Sequence, residues 1–173
     1  GAQFKLYAAN GDTKGDEISL VADGNGVYRQ AKDATEEAAK VEYIATDENG
    51  KLTVKGLKEG TYFLTETKAP DGFNKLVGDI KVEIKNLQYA ADDATKLESY
   101  DVVYTMPGAD TSTTVTVNAT VVTAEIPVLN NAGAMLPSTG GNGGIVFTVV
   151  GVAIIGFMML NDLRSKKRKK EAK

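Results

Sequence analysis

Residues 145–160 (IVFTVVGVAIIGFMML) carry no charge, and seven basic side chains follow at once: Arg164, Lys166, Lys167, Arg168, Lys169, Lys170 and Lys173. A bilayer span takes about 20 apolar residues, with a lower limit near 17. This run is short, but Gly143 and Gly144 extend its neutral part upstream. Basic residues flanking a span stay on the cytoplasmic side. The expected arrangement is therefore a transmembrane helix over 145–160, a basic cytoplasmic tail over 161–173, and a body outside the membrane. A buried core helix would not lead directly into such a charge cluster. The basic run could in isolation suit a nucleic acid, but set against an apolar span it reads as a stop-transfer signal, with no nucleic-acid partner.

The charge balance supports two environments. Residues 161–173 carry a net +5, whereas residues 1–160 hold 13 basic against 21 acidic side chains. The chain has no Cys and no His. Thiolate nucleophiles, Ser-His-Asp triads, zinc fingers and disulfide frameworks are thereby excluded.

Just before the apolar run stand Leu136, Pro137, Ser138, Thr139 and Gly140, then Gly141-Asn142-Gly143-Gly144. Pro137 fixes its own φ and offers no backbone donor, and the glycines keep the segment extended. The order of LPxTG, apolar span and basic tail resembles the cell-wall sorting signal of Gram-positive surface proteins. The resemblance implies a sortase partner whose cysteine attacks the Thr139 carbonyl, releases Gly140 onward and passes Thr139 to an amine. The span would then belong to the precursor only.

The body reads as β-structure. In Gln3-Phe4-Lys5-Leu6-Tyr7, Phe4 and Leu6 share one face and Lys5 takes the other. Asn10-Gly11, Asn25-Gly26 and Asn49-Gly50 are turn signals. Strands are expected at residues 17–22, 27–30, 41–46, 51–55, 61–67, 79–85, 100–106, 113–118 and 120–129. So many short strands point to a sandwich. Residues 33–40 and 90–98 each offer an Asp cap followed by helix formers, so each suits either a helical turn or an acidic loop.

Residues 60–73 are the most informative part of the body. On a strand, Tyr62, Leu64 and Glu66 share one face, and Phe63, Thr65 and Thr67 the other. Glu66 either follows the two large side chains inward or sits at an edge and reaches water. Burial would favour a protonated acid able to donate a hydrogen bond.

Three stretches, Gly1-Ala2-Gln3-Phe4-Lys5-Leu6-Tyr7, Gly56-Leu57-Lys58-Glu59-Gly60-Thr61-Tyr62 and residues 66–76 (ETKAPDGFNKL), together resemble a CnaB-type (SpaA-like) pilin domain. The resemblance implies an Ig-like, prealbumin-like β-sandwich. It also implies an intramolecular isopeptide bond between a first-strand Lys and a last-strand Asn, promoted by a buried Glu. Glu66 matches that acid, and Val128-Leu129-Asn130 matches the terminal Val-x-Asn. Asn130 is the expected acceptor, with Asn131 second because sequence does not fix the register. Lys5 has the wrong parity for the amine, and no lysine occupies the family's donor position. Two explanations are open: a fragment whose upstream sequence holds the lysine, the first strand and an export signal, which is the expectation, or a domain that lacks the bond.

The expected organisation is a CnaB-type domain over 1–130 without its first strand, a linker with the sorting motif over 131–144, the span and the tail. The expected function is a structural subunit of a sortase-assembled pilus, joined through Thr139 to another pilin subunit or to peptidoglycan. The alternative is the stalk of a wall-anchored adhesin that binds host matrix proteins. No enzyme, cofactor or metal site is expected. Asp12, Asp16, Asp23 and Asn25 lack the spacing and terminal Glu of a calcium loop, and the glycines at 140–144 lack the motif of a phosphate cradle.

Overall fold

The structure, a computed structural model, describes residues 1–132 and the strand Gly151–Ile155. Among the described residues, twelve strands form two sheets and there is one short helix. The first follows the order β10-β9-β8-β7-β1-β2, made of β10 (Thr113–Val117), β9 (Leu97–Thr105), β8 (Asp79–Tyr89), β7 (Gly60–Lys68), β1 (Gln3–Asn10) and β2 (Thr13–Glu17), with the two-residue β5 (Ile44–Ala45) also on β1. The second has the order β11-β12-β6-β4-β3, with β11 (Ile126–Asn130), β12 (Gly151–Ile155), β6 (Lys51–Lys55), β4 (Val27–Gln30) and β3 (Leu20–Ala22).

Alternation decides which faces meet. Phe4 and Leu6 of β1 are buried while Lys5 turns outward to Glu17 at 3.0 Å. Tyr62 and Leu64 of β7, Ile80 of β8 and Val102 and Tyr104 of β9 join them. From the second sheet, Leu20, Tyr28, Leu52, Ile126 and Val128 complete one apolar cluster. The result is a β-sandwich whose core lies between the sheets.

Turn chemistry sets the connections. Asn10-Gly11 closes the β1–β2 hairpin, with Gly11 at φ +61°. Gly26 sits at φ +67° between β3 and β4, where a Cβ would lie 2.7 Å from the Lys51 carbonyl oxygen. Of the two ambiguous acidic stretches, one is helical: α1 (Ala34–Ala38) is capped by Asp33, whose side chain accepts from Thr35 N and Glu36 N. The other, 90–98, is the tip of the β8–β9 hairpin. There Tyr89 pairs with Leu97, and the Asp93 carboxylate takes Thr95 N at 2.9 Å. Residues 120–125 are likewise not strand. Asn118 Oδ1 accepts from Thr120 N and Val121 N and turns the chain before β11 begins.

One difference from expectation concerns the apolar run. Most of residues 145–160 lie outside the described residues, but Gly151–Ile155 is a strand and not part of a helix. Its backbone pairs with β11 on one side and with β6 on the other. Among the described residues no helix is long and apolar enough to cross a membrane.

Candidate functional site

The inward face of β7 runs Tyr62, Leu64, Glu66, and all three are buried. The same alternation on β11 buries Ile126, Val128 and Asn130 while Pro127 and Leu129 face out. Glu66 (2% exposed) and Asn130 (4%) are the buried polar residues of the core. They come from different sheets and meet inside the sandwich. Asn130 Nδ2 donates to Glu66 Oε1 and Oε2, each at 2.8 Å.

A loop after β7 closes this pair. Leu76 N donates to Glu66 Oε2 at 2.7 Å, and Asn130 Nδ2 also reaches the Asn74 carbonyl at 3.1 Å. Asn74 N in turn donates to the Asn131 carbonyl at 2.8 Å, and Phe73 forms a β-bridge with Ala132. The turn at 70–73, where Phe73 N bonds the Pro70 carbonyl, brings these backbone groups back over the site. Asn131 itself is exposed, so the second acceptor candidate is turned away from Glu66.

Two features make the pair chemically suggestive. The described partners of Glu66 are an amide NH2 and a backbone N–H, neither of them an amine. In addition, Asn130 Oδ1 is buried with no hydrogen-bond partner among the described residues. An orphaned buried acceptor costs about 1–3 kcal/mol, so its persistence calls for a reason. Both Glu66 oxygens accept from Asn130 Nδ2. Rotating the amide by half a turn would instead bring Oδ1 to the Glu66 carboxyl.

Lys5 lies on the outer face, paired with Glu17. Asp12 faces Lys81 at 4.0 Å and Asp23 faces Lys55 at 3.4 Å, so these acids serve exposed ion pairs rather than one cation site. Leu136, Pro137, Ser138, Thr139 and Gly140 lie outside the described residues. Sequence reasoning missed Asn74 and Leu76, which act through main-chain atoms. The Pro70-Asp71-Gly72 turn was the available signal that the chain doubles back there.

A family described as SpaA, prealbumin-like fold domain, matches residues 1–97. The chain belongs to that family. A second family, the LPXTG cell wall anchor motif, matches residues 129–173 and places the protein at the cell wall of a Gram-positive surface. No curated protein and no solved structure matches the chain. Residues 98–128, which hold most of β9 and all of β10, fall outside both matches.

Proposed function

We propose that this wall-anchored protein is a structural subunit of a sortase-assembled pilus, and that its SpaA domain, residues 1–130, is built to form one internal cross-link at Asn130. The observation that carries the reading is the buried Glu66–Asn130 pair with its orphaned Oδ1, on the strand that leads into the LPSTG motif. The amine would come from a lysine side chain brought beside Asn130 Cγ. Desolvation in the core favours the neutral amine. Its Nζ lone pair attacks Asn130 Cγ, and the developing oxyanion on Oδ1 is held by protonated Glu66. One proton passes from Nζ to Nδ2 by way of the Glu66 carboxyl, the Cγ–Nδ2 bond breaks, and ammonia leaves as the new amide closes. The reaction happens once per chain, so the domain is not an enzyme and takes no cofactor.

Before export is complete, residues 145–160 hold the precursor in the membrane with the body outside and 161–173 inside. Sortase then cuts between Thr139 and Gly140 and transfers Thr139 to an amine of the next subunit or of peptidoglycan. Two measurements test the reading. The intact mass of the natural ectodomain should fall short by about 17 Da, one ammonia, and Glu66→Ala should restore it. Cell-wall extract on a denaturing gel should give a high-mass ladder. A single wall-linked band would refute the pilus and leave an adhesin stalk that displays a host-matrix binding region. A full mass in folded ectodomain would remove the cross-link.

A further inference from the structure

The second sheet holds together through a strand that cannot always be there. β12 pairs antiparallel with β11 over five positions, from Ile126↔Ile155 to Asn130↔Gly151, and parallel with β6 through Ile154↔Lys51 and Ile155↔Leu52. The order β11-β12-β6 means that β11 reaches the rest of its sheet through β12. Apart from that, the main chain around β11 is tied to the 73–74 loop by the Phe73–Ala132 bridge and the Asn74–Asn131 hydrogen bond. Yet Gly151–Ile155 also lies in the middle of the uncharged run 145–160, next to seven basic residues. A backbone segment cannot donate its ladder bonds to β6 and β11 and also form the internally bonded helix that a bilayer requires.

We propose that Gly151–Ile155 is a placeholder strand. It closes the seat between β6 and β11 while the chain is outside a membrane, and it leaves that seat when the segment enters a bilayer. The two states share the same five residues, so they exclude one another. Housing the segment covers two sets of unpaired strand edges, which are otherwise sites for pairing with other chains.

The register ties this device to the site, and this clause rests on the cross-linking reading above. Gly151 stands directly opposite Asn130 and brings no side chain, so Oδ1 keeps no donor from that strand. The placeholder holds β11 in place without satisfying its acceptor. A successor strand in the same seat, carrying a donor at the register position of Gly151, would supply what is missing.

Hydrogen exchange of the full 173-residue chain tests the proposal, first in detergent-free buffer and then with phosphatidylglycerol vesicles, whose charge attracts the basic tail. Without vesicles the chain should sediment as a monomer with the β11 amides that donate to β12 protected. With vesicles those amides should exchange at least about tenfold faster, while β7 and β8 stay unchanged. Ala153→Pro, which removes a ladder donor in the middle of β12, should give the fast exchange without vesicles. Equal protection of β11 with the segment shown by protease protection to be inserted would overturn the proposal. So would an unchanged exchange pattern in Ala153→Pro, or a chain that stays monomeric only in detergent. None of these outcomes touches the mass deficit, and a missing deficit leaves the exchange result unaffected, so the two readings fail separately.

Discussion

Removing Glu66 and Asn130 singly and together gives a thermodynamic test of the buried pair. In Glu66→Ala, Leu76 N loses its acceptor, whereas Asn130 Nδ2 keeps the Asn74 carbonyl at 3.1 Å. One buried donor left unsatisfied costs about 1–3 kcal/mol, and the space left by the truncated side chain adds about 1–2 kcal/mol. Release of a buried polar group from desolvation offsets part of this, so a loss of about 2–4 kcal/mol is expected. Asn130→Ala strips Glu66 of both Nδ2 contacts and leaves it with Leu76 N alone. The double variant has no acid to strand, so the two losses should not add. A hydrogen bond is worth about 0.5–1.5 kcal/mol, and the coupling should fall near ~1 kcal/mol. Glu66→Gln discriminates further. With the Asn130 amide turned over, Gln can accept from Leu76 N and donate to Oδ1, so its loss should stay within about 1 kcal/mol. The assay is urea unfolding followed by circular dichroism and by tyrosine emission, because the chain has seven Tyr and no Trp. Additivity within about 0.5 kcal/mol, or a Gln variant as damaged as the Ala variant, would refute the reasoning.

Three further outcomes follow from other parts of the structure. Gly151→Lys puts an amine on the strand opposite Asn130, and should produce a mass shortfall of about 17 Da that disappears when Glu66→Ala is added; no shortfall in the folded single variant counts against the register argument. Gly26→Ala meets both a φ of +67° and a carbonyl 2.7 Å from the new Cβ, and should cost about 2–3 kcal/mol in the same unfolding assay. Glu36, gripped by the Arg29 guanidinium at 2.6 and 2.7 Å, is lowered to about 2 from the usual 4.5. Because the folded chain binds this proton less readily than the unfolded one, its contribution is present above about pH 4.5 and lost as the pH falls toward 2. Thermal unfolding across that window should therefore show a shallower acid decline in Glu36→Gln than in the parent.

Much of the body could be read from alternation. The parity of Phe4, Lys5 and Leu6 and of Tyr62, Leu64 and Glu66 follows directly from the two-residue repeat, and Asn10-Gly11 marks its hairpin without tertiary help. What failed was local composition judged without its partner strand. Residues 90–98 hold good helix formers, but the Tyr89–Leu97 pairing and the Asp93 turn continue the β8–β9 hairpin through them. Residues 120–125 look like strand until the Asn118 side chain captures two backbone donors. At the site, burial of Glu66 was one of two open readings, and Asn130 came from resemblance alone. Its inward direction depends on where β11 starts, which a sequence pattern leaves uncertain by a residue. Asn74 and Leu76 had no side-chain signature, because a main-chain N–H and C=O are the same in every residue but proline. For Gly151–Ile155, an apolar β-branched run suits a buried strand and a bilayer span equally well, and periodicity does not separate them.

The position of β11 links these observations mechanically. Asn130 ends the strand, and Leu136 begins the sorting motif six residues later. In the proposed product, tension applied through Thr139 would enter the domain at β11. Cleavage after Thr139 also removes Gly151–Ile155, and with it the ladder that binds β11 to β6. What then remains around the loaded end is the burial of Ile126 and Val128, the bridge to Phe73, the hydrogen bond from Asn74 and the Asn130–Glu66 pair. Each polar contact is worth on the order of 1 kcal/mol, and each buried side chain about 1.5–3 kcal/mol. None of them is covalent, so a strand that has lost its ladder to β6 is weaker under steady load. In the proposed pilus, the orphaned oxygen of Asn130 would thus lie at the end of the domain that carries the load.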